Sequence, residues 1–347
     1  MDLKSALTLN RKKEETAEDQ ELLKERAREI HAESIVVDGH IGTLIDVLTK
    51  SREFGEKSEK GHVDLPRLKD GGVKCVVLSA FPFDRSYPIR GVRAGLEYVD
   101  AYRSLAALPG MVLAESGTQV ESAAKEGNLA ALLSFEGGEF LDGSIESLRM
   151  FHRLGLRLLG LTWNERNALA DGAAESGTRG GLTRFGRQVV KECGHLGVIV
   201  DVSHISEAGF WDVVEMTEHP VVASHSNCHR LYAHPRNLTD DQIRAVAETG
   251  GVVAVSFNPD YMAGDEAEVT MDTVCDHIMH VLEVGGEGTA AIGSDFDSFR
   301  GREPKPLTSA EHLPLLTEAL LRRGVSGKTI SLVLGGNWLR VMRAVLG

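Results

Sequence analysis

Short apolar stretches alternate with longer amphipathic ones along the chain. Eight stretches, at 34–37, 73–80, 129–135, 156–162, 198–203, 220–224, 251–257 and 289–294, are mostly Val, Leu, Ile and Ala. They read as strands buried on both faces, because a strand with one wet face would alternate apolar and polar positions. Between most of them the apolar spacing turns helical. Residues 92–108, 182–196, 206–217, 243–249, 271–284 and 309–322 carry that spacing, and Thr239-Asp240-Asp241-Gln242 is a capping-box pattern ahead of 243–249. Alternating strands and helices predict a parallel α/β architecture. Eight strands favour closure into a (β/α)8 TIM barrel.

Three stretches break the rhythm. Residues 48–63 are polar and long for a loop, which suggests a lid or mobile excursion. Residues 171–181 are small and Gly-rich, a second flexible loop. A closing helical segment at 326–346 is interrupted at Gly335-Gly336-Asn337. Residues 1–33 are rich in Lys and Glu and predict a polar, solvated helical arm. The remainder, 34–347, reads as a single barrel domain with no further boundary.

The strand ends carry the chemistry. Asp38-Gly39-His40, Glu136, His204, His225 and Asp295 each stand at the C-terminal end of a different apolar run. In a (β/α)8 barrel those ends converge on one face, where the active site lies. Two His and a Glu meeting there form a metal-binding set suited to zinc, with His40 as a further imidazole. Asp295, in Gly293-Ser294-Asp295-Phe296-Asp297, is placed to move a proton to or from a metal-activated water. Asp297 is either a second inward carboxylate or a loop cap. Arg236, in His234-Pro235-Arg236-Asn237, suits bidentate grip on a substrate carboxylate, and equally a structural ion pair. His62 and His234 lie in nearby loops and read as bystanders, although His234 is placed to orient Arg236.

The balance of 38 Lys+Arg against 51 Asp+Glu gives a net charge of −13, which argues against nucleic-acid binding. No apolar run is long enough to span a membrane, and the N-terminus lacks a signal-peptide pattern. The four cysteines, Cys75, Cys193, Cys228 and Cys275, are widely spaced and read as reduced thiols in a cytoplasmic protein.

Several short stretches in order resemble the membrane dipeptidase (renal dipeptidase) family of zinc peptidases, within the amidohydrolase superfamily. They are Val36-Val37-Asp38-Gly39-His40, His62-Val63-Asp64-Leu65-Pro66-Arg67-Leu68, Phe135-Glu136-Gly137-Gly138, Asp201-Val202-Ser203-His204, Ser224-His225-Ser226, His234-Pro235-Arg236-Asn237, Gly293-Ser294-Asp295-Phe296-Asp297 and Gly335-Gly336-Asn337. The resemblance implies a two-zinc barrel that hydrolyses dipeptides, often as a homodimer. It implies Glu136 as the bridging ligand, His204 and His225 completing one site, and His40 in the other. Asp295 would carry the proton, and Arg236 would hold the substrate carboxylate. Trp163 and Asn164, after the fourth strand, would line the substrate site.

Two positions depart from the family pattern. Its first motif is His-x-Asp, and here the triplet is His40-Ile41-Gly42, so one ligand is missing and the second zinc site is underfilled. Asp46 and Asp295 are the candidates to compensate. A substrate-polarising His of the family falls on Trp163. The leading expectation is therefore a zinc-dependent dipeptidase-like hydrolase. The alternatives are a mononuclear enzyme acting on another small amide or biosynthetic intermediate, and a binding protein that has lost catalysis.

Overall fold

The computed structural model describes residues 17–82, 89–264, 267–299 and 301–347, so positions 1–16 of the expected arm lie outside the described residues. Among the described residues nine strands form: β1 (Val36–Ile41), β2 (Val73–Ala80), β3 (Met111–Leu113), β4 (Leu129–Glu136), β5 (Leu156–Gly160), β6 (Ile199–Asp201), β7 (Val222–Ala223), β8 (Val252–Val255) and β9 (Ala290–Ile292). Eight of them follow the order β1-β2-β4-β5-β6-β7-β8-β9, and β3 pairs only with β4. Every pairing is parallel. β3 has no counterpart among the eight expected runs. It is three residues long, too short for a pattern to show.

The ring closes between β1 and the loop after β9. Asp295 N–H donates to His40 O at 3.0 Å, and Gly42 N–H donates to Phe296 O at 2.8 Å. The Ser294 N–H donates to the buried Asp38 carboxylate at 2.8 Å. The barrel interior is filled by alternate strand residues, among them Val37, Cys75, Val77, Leu132, Leu158, Ile199, Val222 and Ala291, packed with Trp338 and Met342 of the helix Asn337–Leu346. This helix caps the N-terminal end of the barrel. A Cβ on Gly39 would lie 2.0 Å from the Trp338 indole, so the close approach requires glycine there. The indole N–H donates to Ile292 O at 2.9 Å.

Two expectations need correction. The excursion at 48–63 is not loose. Phe54 is buried beneath it, and Arg52 is clamped between Asp46 and Asp297 while also donating to Val63 O. The N-terminal arm is not wholly solvated either. The helix Ala17–Glu33 buries Ala27, Ile30 and His31 against the barrel, and His31 reaches Thr317 Oγ1 at 2.8 Å and Gly71 O at 2.9 Å. Both segments dock through a few residues that an average over polar composition hides.

Candidate metal centre and active site

The site grows from five strand ends. β1 and β4 run through their functional residues, so His40 and Glu136 stand within extended backbone. β6 and β7 stop earlier, and His204 and His225 follow on short turns. His204 has φ 68° and Asp295 φ 62°, left-handed values that cost a non-glycine residue about 1 kcal/mol or more. Neighbouring bonds hold these turns. His204 O accepts from Ala173 N–H at 2.7 Å and from the Thr162 hydroxyl at 3.2 Å.

These residues meet around one carboxylate. Glu136 Oε1 lies 2.9 Å from His204 Nε2 and 3.5 Å from His225 Nε2. Glu136 Oε2 lies 3.5 Å from His40 Nε2. The Nε2 atoms of His204 and His225 are themselves only 2.8 Å apart. One donor atom each from His40, Glu136 and His225 all fall within 4.8 Å of one another. His40 Nε2 is buried with no hydrogen-bond partner among the described residues. A neutral imidazole offers one lone pair, and nitrogens crowded this closely around a shared carboxylate are satisfied together by a cation. The donor set fits a divalent metal.

The electrostatics suit ligation as well. Burial, reinforced by Arg236, pushes the His204 pKa down to about 3. Burial and the neighbouring His40 push His225 well below its ordinary value. Both are therefore neutral, as a metal ligand must be. Burial also opposes charge on His40, but Glu136, Asp295 and Asp201 outweigh it and raise its pKa. Burial opposes charge on Glu136 too; the charge of the neighbouring His40 and the close approach of His204 and His225 overcome it and hold the carboxyl well below the usual range. Asp295 is raised by burial and by Glu136, against the pull of His40.

A second layer fixes the imidazoles. Asn164 Oδ1 sits 2.7 Å from His204 Nδ1, which leaves Nε2 for the centre. Ser224 Oγ donates to Asp201 and lies 2.8 Å from His225 Nδ1 and 3.3 Å from His40 Nδ1. Asn258 Nδ2 donates to Asp295 Oδ2 at 3.0 Å, and the Ser256 hydroxyl is 3.4 Å from the same oxygen. Sequence reasoning missed Ser224, Asn258 and Ser256. Their only signal was a position within two or three residues of a strand end. Asn164, expected at the substrate, is engaged behind His204.

A cavity of about 460 Å³ opens over the centre, walled by Phe81, Trp163, Glu165, Tyr261, Asp295 and Ser298 among others. Arg236 lies outside its lining. It borders a second cavity of about 360 Å³ on the far side of His204. Its side chain is buried, donates to His225 O at 3.1 Å, and lies over the Tyr261 ring at 5.1 Å. Its Nε has no partner among the described residues. His234 Nδ1 accepts from Arg236 N–H at 3.2 Å. Asp46 does not reach the centre, because Arg52 and Ser51 hold it. Asp297 is taken by Arg52, Thr43 and the His62 N–H, and serves as a loop cap. His62 is more than a bystander: its Nδ1 accepts from Asp297 N–H at 2.9 Å.

The profile of the membrane dipeptidase family, peptidase family M19, matches residues 24–346. The chain belongs to that family. It is 30% identical over 325 residues to dipeptidase tcpJ of Claviceps purpurea, covering 89% of this chain and 76% of the relative. A metallopeptidase from Rhodobacter sphaeroides, solved with a phosphinate mimic of L-Ala-D-Ala, superposes with a TM-score of 0.83 at 27% identity, covering 90% of this chain and all of that one (100%). The probable dipeptidase PvdM of Pseudomonas aeruginosa shares the fold, with a TM-score of 0.85 at 22% identity over 94% of this chain and 99% of that one. Like other members of the family, this chain is a TIM-barrel metallohydrolase of the dipeptidase class. No helix among the described residues is long and apolar enough to cross a membrane.

Proposed function

We propose that this chain hydrolyses the amide bond of a dipeptide, or of a similar small amide bearing a free carboxylate, with a zinc ion held by Glu136, His204 and His225. The observation that carries this reading is the convergence of Glu136 Oε1 with two neutral imidazole nitrogens at 2.9 and 3.5 Å beneath a cavity of peptide size. Two imidazoles and one carboxylate, with room left for a further ligand, are the donor set of a catalytic zinc. A zinc ion there would polarise the scissile carbonyl and make water nucleophilic near neutral pH.

The protein's own groups do the rest. Asp295, buried and held by Asn258 and Ser256, takes a proton from the attacking water and returns it to the leaving amine. Arg236, which borders the second cavity beside His204, supplies the guanidinium for the substrate carboxylate. Trp163 walls the cavity, and Asn164 keeps His204 in the right tautomer. The dipeptide mimic bound by the Rhodobacter relative supports dipeptides as the substrate class. The four cysteines are buried and unpaired, which supports a cytoplasmic location. The homodimer implied by the family is part of the same reading.

The test supplies zinc to the purified protein and assays a panel of L,L- and L,D-dipeptides for amino-acid release, with and without a chelator. Chelator-sensitive turnover is expected. No turnover across the panel with zinc bound would remove the dipeptidase reading. Release of amine from other small amides in the same assay would then favour the family scaffold with altered substrate, to which Trp163 points.

A further inference from the structure

Glu136 has two faces, and they are unequally furnished. Oε1 faces His204 and His225, while Oε2 faces His40 alone. A cation on the Oε2 side would have only Glu136 and His40 to itself, because His225, the third donor within reach, also faces Oε1; zinc sites ordinarily supply at least three donors. The next inward position along the chain, one residue past the end of β1, is Gly42. Its φ is not left-handed, so no backbone strain requires glycine there. Space does. A Cβ at position 42 would lie 2.5 Å from Ser298 Oγ, 3.3 Å from Ser298 N and 3.4 Å from the Asp297 carbonyl carbon. The Ser298 hydroxyl thus occupies the volume in which a side chain at position 42 would begin, with the backbone of the loop after β9 at its edge. That loop cannot easily withdraw. Gly42 N–H donates to Phe296 O in the barrel closure, and Asp297 is tied to Arg52, Thr43 and His62.

We infer that this chain holds one resident metal ion, on the Glu136 Oε1 face, and that Ser298 occupies the place from which β1 would complete a second site. The inference rests on the metal reading proposed above. The buried, unpartnered His40 Nε2 is the observation that speaks for a second cation. It supplies one donor, and Asp46, the nearest spare carboxylate along the chain, is held by Arg52. Asp295 is held by Asn258 and Ser256.

The test counts zinc on the full-length protein after exchange into metal-free buffer, by elemental analysis and by calorimetric titration with zinc. The wild type should retain about one ion per chain, and His40→Gln should retain the same number. Gly42→Asp alone should gain no ion and should melt at a lower temperature. The double variant Gly42→Asp/Ser298→Gly should gain a second ion. Two tightly held ions in the wild type, one of them lost in His40→Gln, would overturn the inference while leaving hydrolysis intact. A folded double variant that binds no second ion would overturn the role given to Ser298. A folded wild type that binds none would overturn this inference and the metal reading together. Because the readout is ion count, a protein inactive on dipeptides can still pass.

Discussion

At the scale of single residues, the centre separates groups that should bind metal from one that should move a proton. Asp295→Asn keeps the shape and the Asn258 contact but cannot accept a proton. It should lower kcat by about 10² or more with the zinc content unchanged, and loss of the metal in that variant would show that Asp295 is a ligand. A second residue, outside the centre, contributes to the response to acid. His277 is buried, accepts from Cys228 N–H, and has its pKa pushed down to about 4 by that burial. Between pH 6.5 and about 4 the unfolded chain binds a proton that the folded chain refuses. The stability His277 contributes is complete above pH 6.5 and is lost as pH falls through that window. Melting curves across that range should fall less steeply for His277→Asn, whose side-chain oxygen can still accept; an unchanged slope would assign the acid sensitivity elsewhere. That His40, Glu136, His204 and His225 meet was legible in the sequence because each ends an apolar run. The bonds that Asn164, Ser224 and Asn258 make behind them were not, because a hydrogen bond between side chains from different strands leaves no period in a sequence.

Among the elements, the excursion between β1 and β2 is the least expected. Its charge suggested mobility, yet Arg52 is nearly buried, with side-chain exposure of 7%, and faces the carboxylates of Asp46 and Asp297, the latter 3% exposed. Removing one partner of such a pair strands the other charge. Arg52→Met should cost about 3 kcal/mol in urea unfolding and raise hydrogen exchange across residues 50–64. Protection that stays at the wild-type level would mean that Phe54 alone seats the segment. Most barrel strands were readable because strands covered on both faces are apolar runs. β7 was readable although only two residues are regular strand, since burial outlasts the ladder. β3 was not, and neither were the helices Gly117–Lys125 and Ile145–Arg153, which are short and broken by charge. The capping box at Thr239 formed as its sequence suggested.

For the whole molecule, metal and fold are linked in the proposed reading, since Glu136, His204 and His225 come from β4 and the segments after β6 and β7. Any cation that binds only the folded state adds stability by mass action, about 3 kcal/mol at a hundredfold excess over Kd. Chelation should therefore lower the melting temperature by several degrees, and zinc should restore it; an unchanged midpoint would mean that the ligands are held without an ion. The closure of the barrel has another consequence. Gly39 near the start of the described sequence and Trp338 near its end share one contact, and the helix that carries Trp338 packs in one cluster with the inner faces of the ring strands. During synthesis, then, the ribosome will have released seven or more strands before the part that seats their inner faces is available. The nascent barrel is an open bowl with a missing floor, and chaperones that shelter apolar surface should hold it until the final helix emerges.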